Sequence, residues 1–412
     1  MSHVNPATNQ DTSALPMRHW LILGLLLVIL IAAESFALYT VFTSRFPSGN
    51  DFFVRWLGGR ELLLHGTNPY DQSVAESAQK AMFGRLTTAA DRDEAYFAYP
   101  LYTLYFFWPL SLIPYAWAQA IWMTLLQFML LGSTILAMRL SGWQPPGWLY
   151  WLTIVWGILF YNGARAILLG QFSILVGLTL FLALWAIDRQ RDGWAGVLLA
   201  ATTIKPQMVF LVLPFLLIWA FSRRRYKILI GFGGCLLLLS GSALLLVPTW
   251  PLDFIRNMMA YSDYVAHGAP LENLLHYFLP AAIATPLTPI LSGLFLLMLL
   301  PGWWRAFRTD QPAAYTWALM ATLIIGSLVA FRSATTNQVI LYLPLFFLFH
   351  RISRSWLALV IEIGLLVLMW GTFAALLAGN YEHVMMHGLL PAVMLILYVL
   401  AGPRLRPGAI SK

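Results

Sequence analysis

The sequence predicts an all-α polytopic membrane protein, on three observations. Of 412 residues, 60% are apolar, and the mean hydropathy is +0.72. Only 10% are charged, where soluble domains carry about 25%. The apolar residues fall in long Leu-rich runs, and a helix needs roughly 20 residues to cross a bilayer core. Lipid admits only helices and closed barrels, and continuous runs exclude the alternation of barrel strands. The net charge of +8 then belongs to cytoplasmic loops rather than to a nucleic-acid surface. The single cysteine, Cys235, leaves no intramolecular disulfide.

Residues 1–17 are polar and are expected to form a disordered cytoplasmic N-terminus. Arg18 and His19 precede the first apolar run, 20–41. That run is too long for a signal-peptide core and lacks a cleavage site, so it reads as an uncleaved first span. The loop 42–98 then faces outward and holds 13 of the 42 charged side chains. Residues 98–114 carry three prolines and are short for a span, so they either re-enter the membrane or lie at its surface. Further spans are expected near 115–138, 148–162, 168–187, 194–204, 206–221, 227–247, 281–301, 313–330, 337–350, 355–378 and 387–401. With one crossing between 98 and 139, five basic clusters fall inside: Arg189/Arg191, Arg223/Arg224/Arg225/Lys227, Arg305/Arg308, Arg351/Arg354 and Arg404/Arg406. This gives about 12 spans, with 11 to 13 as the bracket. A second polar loop, 248–280, and the segment 332–338 lie on the outward side. Residues 18–401 form one integral-membrane domain, and 402–412 a cytoplasmic tail.

Asp51 leads the candidates for chemistry. It follows Gly49-Asn50 and precedes a helical stretch with an apolar face of Phe52, Phe53, Trp56, Leu63 and Leu64. It reads as a helix N-cap or as a general base, and the two are compatible. Phe52, Phe53 and Trp56 suggest a helix on the bilayer surface, holding Asp51 at headgroup depth. Asn68-Pro69-Tyr70-Asp71 reads as a turn, with Tyr70 and Asp71 as substrate-binding candidates, and His65 as a surface or substrate residue. Lys205 stands in an apolar region, and Pro206 breaks the helix there. An intramembrane lysine at a break binds an anion such as a phosphate, or else snorkels from a loop. Arg165 and Arg332 are similar outward cations. Glu34 and Glu362 are acids within spans. His383 and His387 follow Glu382 without a clear third ligand, so no metal is expected. No Walker loop, dinucleotide glycine motif or Ser-His-Asp signature is present.

Taken in order, these segments resemble glycosyltransferase family 87. Asp51-Phe52 through Gly66-Thr67-Asn68-Pro69-Tyr70-Asp71 is similar to the family's Asp-Phe and Gly-x-x-Pro-Tyr-Asp block. Tyr99-Pro100-Leu101 stands where the family has Tyr-Pro-Pro. Gly170-Gln171 resembles its Gly-Gln, and Ala195-Gly196 through Lys205-Pro206 its Ala-Gly to Lys-Pro segment. The resemblance implies a GT-C fold. The two polar loops on one face suggest that the active face is extracytoplasmic, and the lack of recognisable sorting signals fits a prokaryotic plasma membrane. The resemblance also implies metal-independent, cofactor-free, inverting transfer of a hexose, typically mannose, from a polyprenyl-phosphate carrier to a lipid or glycan acceptor. Asp51 would be the base. Lys205, Arg165, Arg332, Gln171, Tyr99, Tyr70, Asp71, Asn337 and Gln338 would be the substrate-binding residues. The chain departs from the family prototype at 332–338, where Asn337 and Gln338 replace histidines. The competing readings are a multi-span transporter or lipid-linked-sugar flippase, which should show inverted repeats and midplane charges, and a noncatalytic assembly subunit, which would not need Asp51.

Overall fold

The computed structural model describes residues 17–46, 48–88, 95–264, 268–352, 354–377 and 382–402. The expected tails at 1–17 and 402–412 therefore lie almost wholly outside the described residues. The described chain is helical throughout, with no strand. α1 (Met17–Leu38) continues through one π turn to Thr43. Its Leu21, Leu25 and Val28 point outward and are exposed, a surface that suits hydrocarbon and not water.

The first loop is folded. It contains α2 (Asn50–His65) and α3 (Gln72–Phe83). Residues 98–114 do not cross as one helix. They make a 3-10 stretch, Leu101–Phe106, and α4 (Trp108–Ser111). The Trp56 indole donates to the carbonyls of Leu110 (2.9 Å) and Ile113 (3.2 Å), which ties this segment against α2. The sequence reading that placed Phe52, Phe53 and Trp56 on the bilayer surface is thereby corrected. Phe52 is wholly buried between Phe107, Trp122 and Phe172, and Trp56 is buried too. Protein covers Phe52 and Trp56, while Leu63 and Leu64 toward the end of the same helix stay exposed.

α5 (Tyr115–Ser141) is a long, half-buried span. α6 (Gly147–Leu159) and α7 (Tyr161–Leu169) meet at a 45° bend. α8 (Ser173–Asp188), α9 (Asp192–Ala201), α10 (Pro206–Val209) and α11 (Val212–Ser222) are short, and α12 (Tyr226–Leu246) is long. The second polar loop is also helical, as α13 (Trp250–Tyr264) and α14 (Pro270–Phe278). α15 (Ala281–Arg308) and α16 (Pro312–Val329) follow. The 3-10 stretch Thr335–Leu341 leads into α17 (Tyr342–Ile352), and α18 (Ser355–Leu376) and α19 (Met386–Ala401) close the chain. Six helices are long and apolar enough to cross a membrane, or seven if the bent α6–α7 pair is one span. The chain is therefore a multi-pass membrane protein. A helix stands at each of the other expected spans, and α8, α11 and α19 are apolar but shorter.

Pairwise contacts fix which ends lie together. Arg225, before α12, bonds Asp192 at the start of α9 and the carbonyl of Ile187 near the end of α8. Arg223 pairs with Asp310, between α15 and α16. These contacts gather the basic clusters at 189–191, 223–227 and 305–308 at one end. α8 runs from Gln171 at the other end down to Arg189, and α9 runs back up to Lys205. α11 descends again, from Leu211 beside Gly326 to Trp219, whose ring lies 4.6 Å from that of Tyr315. Residues 192–222 are thus a two-limbed hairpin with Lys205 at its apex.

The rising limb, α9, lies against α12 at backbone distance. A Cβ on Gly196 would stand 2.2 Å from the Ile228 carbonyl oxygen and 2.6 Å from the Phe232 nitrogen. Gly196→Ala is expected to lower stability by about 1–3 kcal/mol, the cost of overpacking against atoms that cannot yield. Reversible detergent unfolding of the purified protein measures this. A variant as stable as wild type would contradict the packing.

Candidate active site

Three chain breaks converge at the apex end. The first precedes α2. The Tyr115 hydroxyl donates to the carbonyls of Ser48 (2.6 Å) and Gly49 (3.0 Å), and Gln119 donates to Ser48 Oγ. Gly49 takes φ +75°, a left-handed conformation that glycine adopts freely, and it is the cap residue of α2. The N-cap reading of Asp51 is therefore corrected. Asp51 sits inside the first turn, where its carboxylate makes no capping bond and is left for partners in space.

The second break ends α7. Gly170, at φ +69°, and the Gln171 N–H to Ala166 carbonyl bond (2.8 Å) close the helix in a Schellman turn. The Trp122 indole holds the Gly170 carbonyl at 2.9 Å. A Cβ at Gly170 would come within 2.5 Å of Phe52 Cβ, so glycine lets α2 and this turn approach. The third break is the one expected at Lys205. A 3-10 turn, Thr202–Ile204, ends α9, and Pro206 opens α10.

These breaks align three side chains. Gln171 Nε2 donates to Asp51 Oδ2 at 2.7 Å, and Lys205 Nζ donates to Gln171 Oε1 at 2.5 Å. The amide orientation is fixed, because a carboxylate only accepts and an ammonium only donates. Arg55 adds a second cation. Its Nη1 lies 3.8 Å from Asp51 Oδ1 and donates to the Asp51 carbonyl, while its guanidinium rests on the Tyr99 ring at 4.4 Å. Lys205 and Arg55 are buried, whereas the Asp51 carboxylate is 30% exposed. The row therefore offers a reachable proton acceptor with fixed positive charge behind it. Arg55 was not among the sequence candidates. Its only sequence signal was its place one helical turn after Asp51.

Other candidates lie elsewhere. The Tyr70 hydroxyl donates to the Tyr99 carbonyl at 2.6 Å, supporting the ring beneath Arg55. Asp71 is exposed at the start of α3. The 68–71 turn is tied to α13 by Asn68 Nδ2 donating to Asp253 Oδ2 at 2.9 Å. Arg332 is half-buried, at φ +51°, over Phe331. Arg165, expected as an outward cation, is ion-paired through Nε with buried Glu382 Oε2 at 2.9 Å. The 332–338 segment, expected as an outward loop, has its Asn337 and Gln338 buried. Gln338 accepts from Asn162 at 2.9 Å and donates to the His387 carbonyl. Asn337 donates to Ser333.

Around Glu382 the structure assembles a network that the sequence did not reveal. Tyr161 (2.7 Å), Thr335 (2.9 Å) and His387 Nε2 (2.7 Å) all approach its carboxylate beside Arg165. Among the described residues, no three His, Cys, Asp or Glu side chains gather as a metal site would need. Burial raises the Glu382 pKa, but the His387 hydrogen bond and charge, Arg165 and Tyr161 outweigh it and hold the group down at about 2.

The class of protein follows from a membrane-embedded helical bundle with a carboxylate, an amide and an ammonium in line at one end. A family model places it further. The model of glycosyltransferase family 87 matches residues 97–331, more than half of the chain, and the chain belongs to that family. It is a membrane glycosyltransferase. The match includes Tyr99, Arg165, Gln171 and Lys205, and leaves Asp51 and the Glu382 network outside it. No curated protein and no solved structure matches the chain.

A carboxylate depressed in the folded state stabilises above its unfolded pKa, here 4.5, and loses that contribution as pH falls toward 2. Glu382→Gln is expected to cost roughly 3 kcal/mol at neutral pH, since it leaves Arg165 facing no carboxylate. It should also flatten the loss of stability between those two pH values. Unfolding midpoints measured against pH test this, and an unchanged acid limb would refute the assignment.

Proposed function

We propose that this glycosyltransferase moves a hexose, mannose in our reading, from a polyprenyl-phosphate carrier to a lipid or glycan acceptor. The reaction inverts the anomeric centre and runs on the extracytoplasmic face of a prokaryotic plasma membrane, in a GT-C architecture of about 12 crossings. The observation that carries this reading is the row Asp51–Gln171–Lys205 at the end opposite the basic clusters. Lys and Arg gather on the cytoplasmic side, so that row faces outward.

Asp51 Oδ1 is the oxygen left free of the Gln171 bond. It takes the proton of the acceptor hydroxyl. The acceptor oxygen bonds to C1 of the sugar as the C1–O bond to phosphate breaks on the opposite face. Polyprenyl phosphate leaves with the electron pair. Lys205, with one of its three N–H donors on Gln171, supplies positive charge for the departing phosphate, and Arg55 reinforces it. Phosphate is already a good leaving group, so one base and fixed cations meet the need. We assign the reaction no metal or cofactor beyond the lipid-linked donor. Tyr99 and Tyr70 position Arg55. Arg332 remains a candidate for the carrier phosphate, Asp71 for the acceptor, and Arg165, Asn337 and Gln338 for shaping the wall built on Glu382.

The test uses purified protein, radiolabelled polyprenyl-phosphate mannose and a membrane lipid extract as the acceptor source. Asp51→Asn is expected to cut transfer by about 10²-fold or more while the protein still elutes as one species. Lys205→Gln should lower the rate with less effect on acceptor dependence. Transfer by Asp51→Asn at the wild-type rate would remove Asp51 from the chemistry.

A further inference from the structure

At the basic end, two connections repeat the same turn. Between α8 and α9, the Arg191 N–H bonds the Ala186 carbonyl and the Gln190 N–H bonds that of Ile187. Between α11 and α12, the Arg225 N–H bonds the Ala220 carbonyl and the Arg224 N–H bonds that of Phe221. In each turn one residue takes the left-handed conformation, Gln190 at φ +56° and Arg224 at φ +55°. Glycine ordinarily fills that place. Here long polar side chains are kept there against the conformational preference, and both reach the same pocket. It has a volume of about 610 Å³ and is lined by Gln190, Asp192, Arg224, Arg225, Tyr226 and Lys227.

The cations of this end do not all serve the same purpose. Arg223 is bonded to Asp310 and to the carbonyls of Ala306 and Thr309. Arg225 is bonded to Asp192 and stacked on Trp219. Arg189 and Arg191 lie over the Trp185 ring. Arg224 and Lys227 are exposed and have no polar partner among the described residues. The one carboxylate of the pocket, Asp192, is committed to Arg225, and the first turn of α12 carries none. Two uncompensated cations therefore share one cavity.

What surrounds the cavity selects the ligand. Trp194, Tyr226, Phe221 and Ile230 are exposed on the same helix ends. Aromatic residues at the ends of apolar helices sit at headgroup level, and exposed aliphatic residues below them face acyl chains. We propose that this pocket binds the phosphate headgroup of an anionic phospholipid from the adjoining leaflet. Arg224 and Lys227 contact the phosphate, and the Arg225–Asp192 pair forms the floor. This site is separate from the proposed transfer site and does not depend on it.

The experiment places the full-length protein in nanodiscs or detergent and titrates phosphatidylglycerol, phosphatidylcholine or inorganic phosphate. Bound lipid is read by native mass spectrometry, and stability by the thermal midpoint. Wild type should retain phosphatidylglycerol over phosphatidylcholine and gain midpoint with the former only. The double variant Arg224→Gly/Lys227→Gln should bind phosphatidylglycerol about thirtyfold more weakly, each cation contributing roughly fivefold at an anionic surface. Because glycine suits the left-handed site, that variant should be at least as stable as wild type in phosphatidylcholine, which separates lost binding from lost folding. Arg189→Gln/Arg191→Gln should bind as wild type does. Equal binding of the two lipids, full competition by inorganic phosphate, or an equal loss in both double variants would overturn the proposal.

Discussion

Placing an ammonium, an amide and a carboxylate in one row beside lipid requires helices to stop inside the bundle. Uninterrupted helices bury their backbone groups but keep polar side chains on their flanks. Here α7 ends at Gly170, α9 unwinds before Lys205, and α2 begins after Gly49, all at one level. Each stop is secured from outside its own helix. Trp122 holds Gly170, Tyr115 and Gln119 hold Ser48 and Gly49, and Tyr102 reaches Thr203. Residues of the 98–114 segment and of α5 thus set the geometry of breaks that lie 48 to 101 positions away along the chain. The amide of Gln171 keeps the two opposite charges apart, so neither cancels the other by direct contact.

The two polar networks at this end divide the work differently. The Asp51 row leaves its carboxylate partly exposed and its cations buried. The Glu382 network is closed, with Arg165, Tyr161, Thr335 and His387 all turned inward on one carboxylate. The first is built to meet something from outside, and the second to join α7, the 335–341 stretch and the start of α19. α14 lies over this second network, with Asn273 within 3.4 Å of His387 Nδ1.

Much of this was legible in the sequence. The hydropathy runs gave the helical class, and Lys205-Pro206 marked a break because proline cannot continue a helix. Asp51 stood out because carboxylates are scarce in this chain. Other features were not legible, for physical reasons. Phe52 and Trp56 look like a lipid-facing stripe until residues 101–113 are known to cover them. Asp51 looks like a cap because its preceding glycine gives no sign of taking a left-handed turn. Arg165 and Glu382 are separated by 217 positions, and no local pattern signals such a pairing. Gln171 came to notice only through the family resemblance, since an amide after a glycine has no distinctive chemistry until a charge stands on each side of it.

The hairpin of residues 192–222 also bears on how the chain is made. Its limbs, α9 and α11, have 10 and 11 residues, each about half of what a bilayer crossing needs. Neither can settle in hydrocarbon alone, and Lys205 at the apex would arrive unpaired. The rising limb is seated against α8, which is synthesised earlier, and against α12, which is synthesised later, with backbone contact through Gly196 and Gly231. The rising limb has no complete berth until residue 246 has left the ribosome, and the falling limb has none until α16 follows, because α11 packs against Trp303, Tyr315 and Gly326. The two short limbs therefore settle together with helices made after them, not by independent insertion.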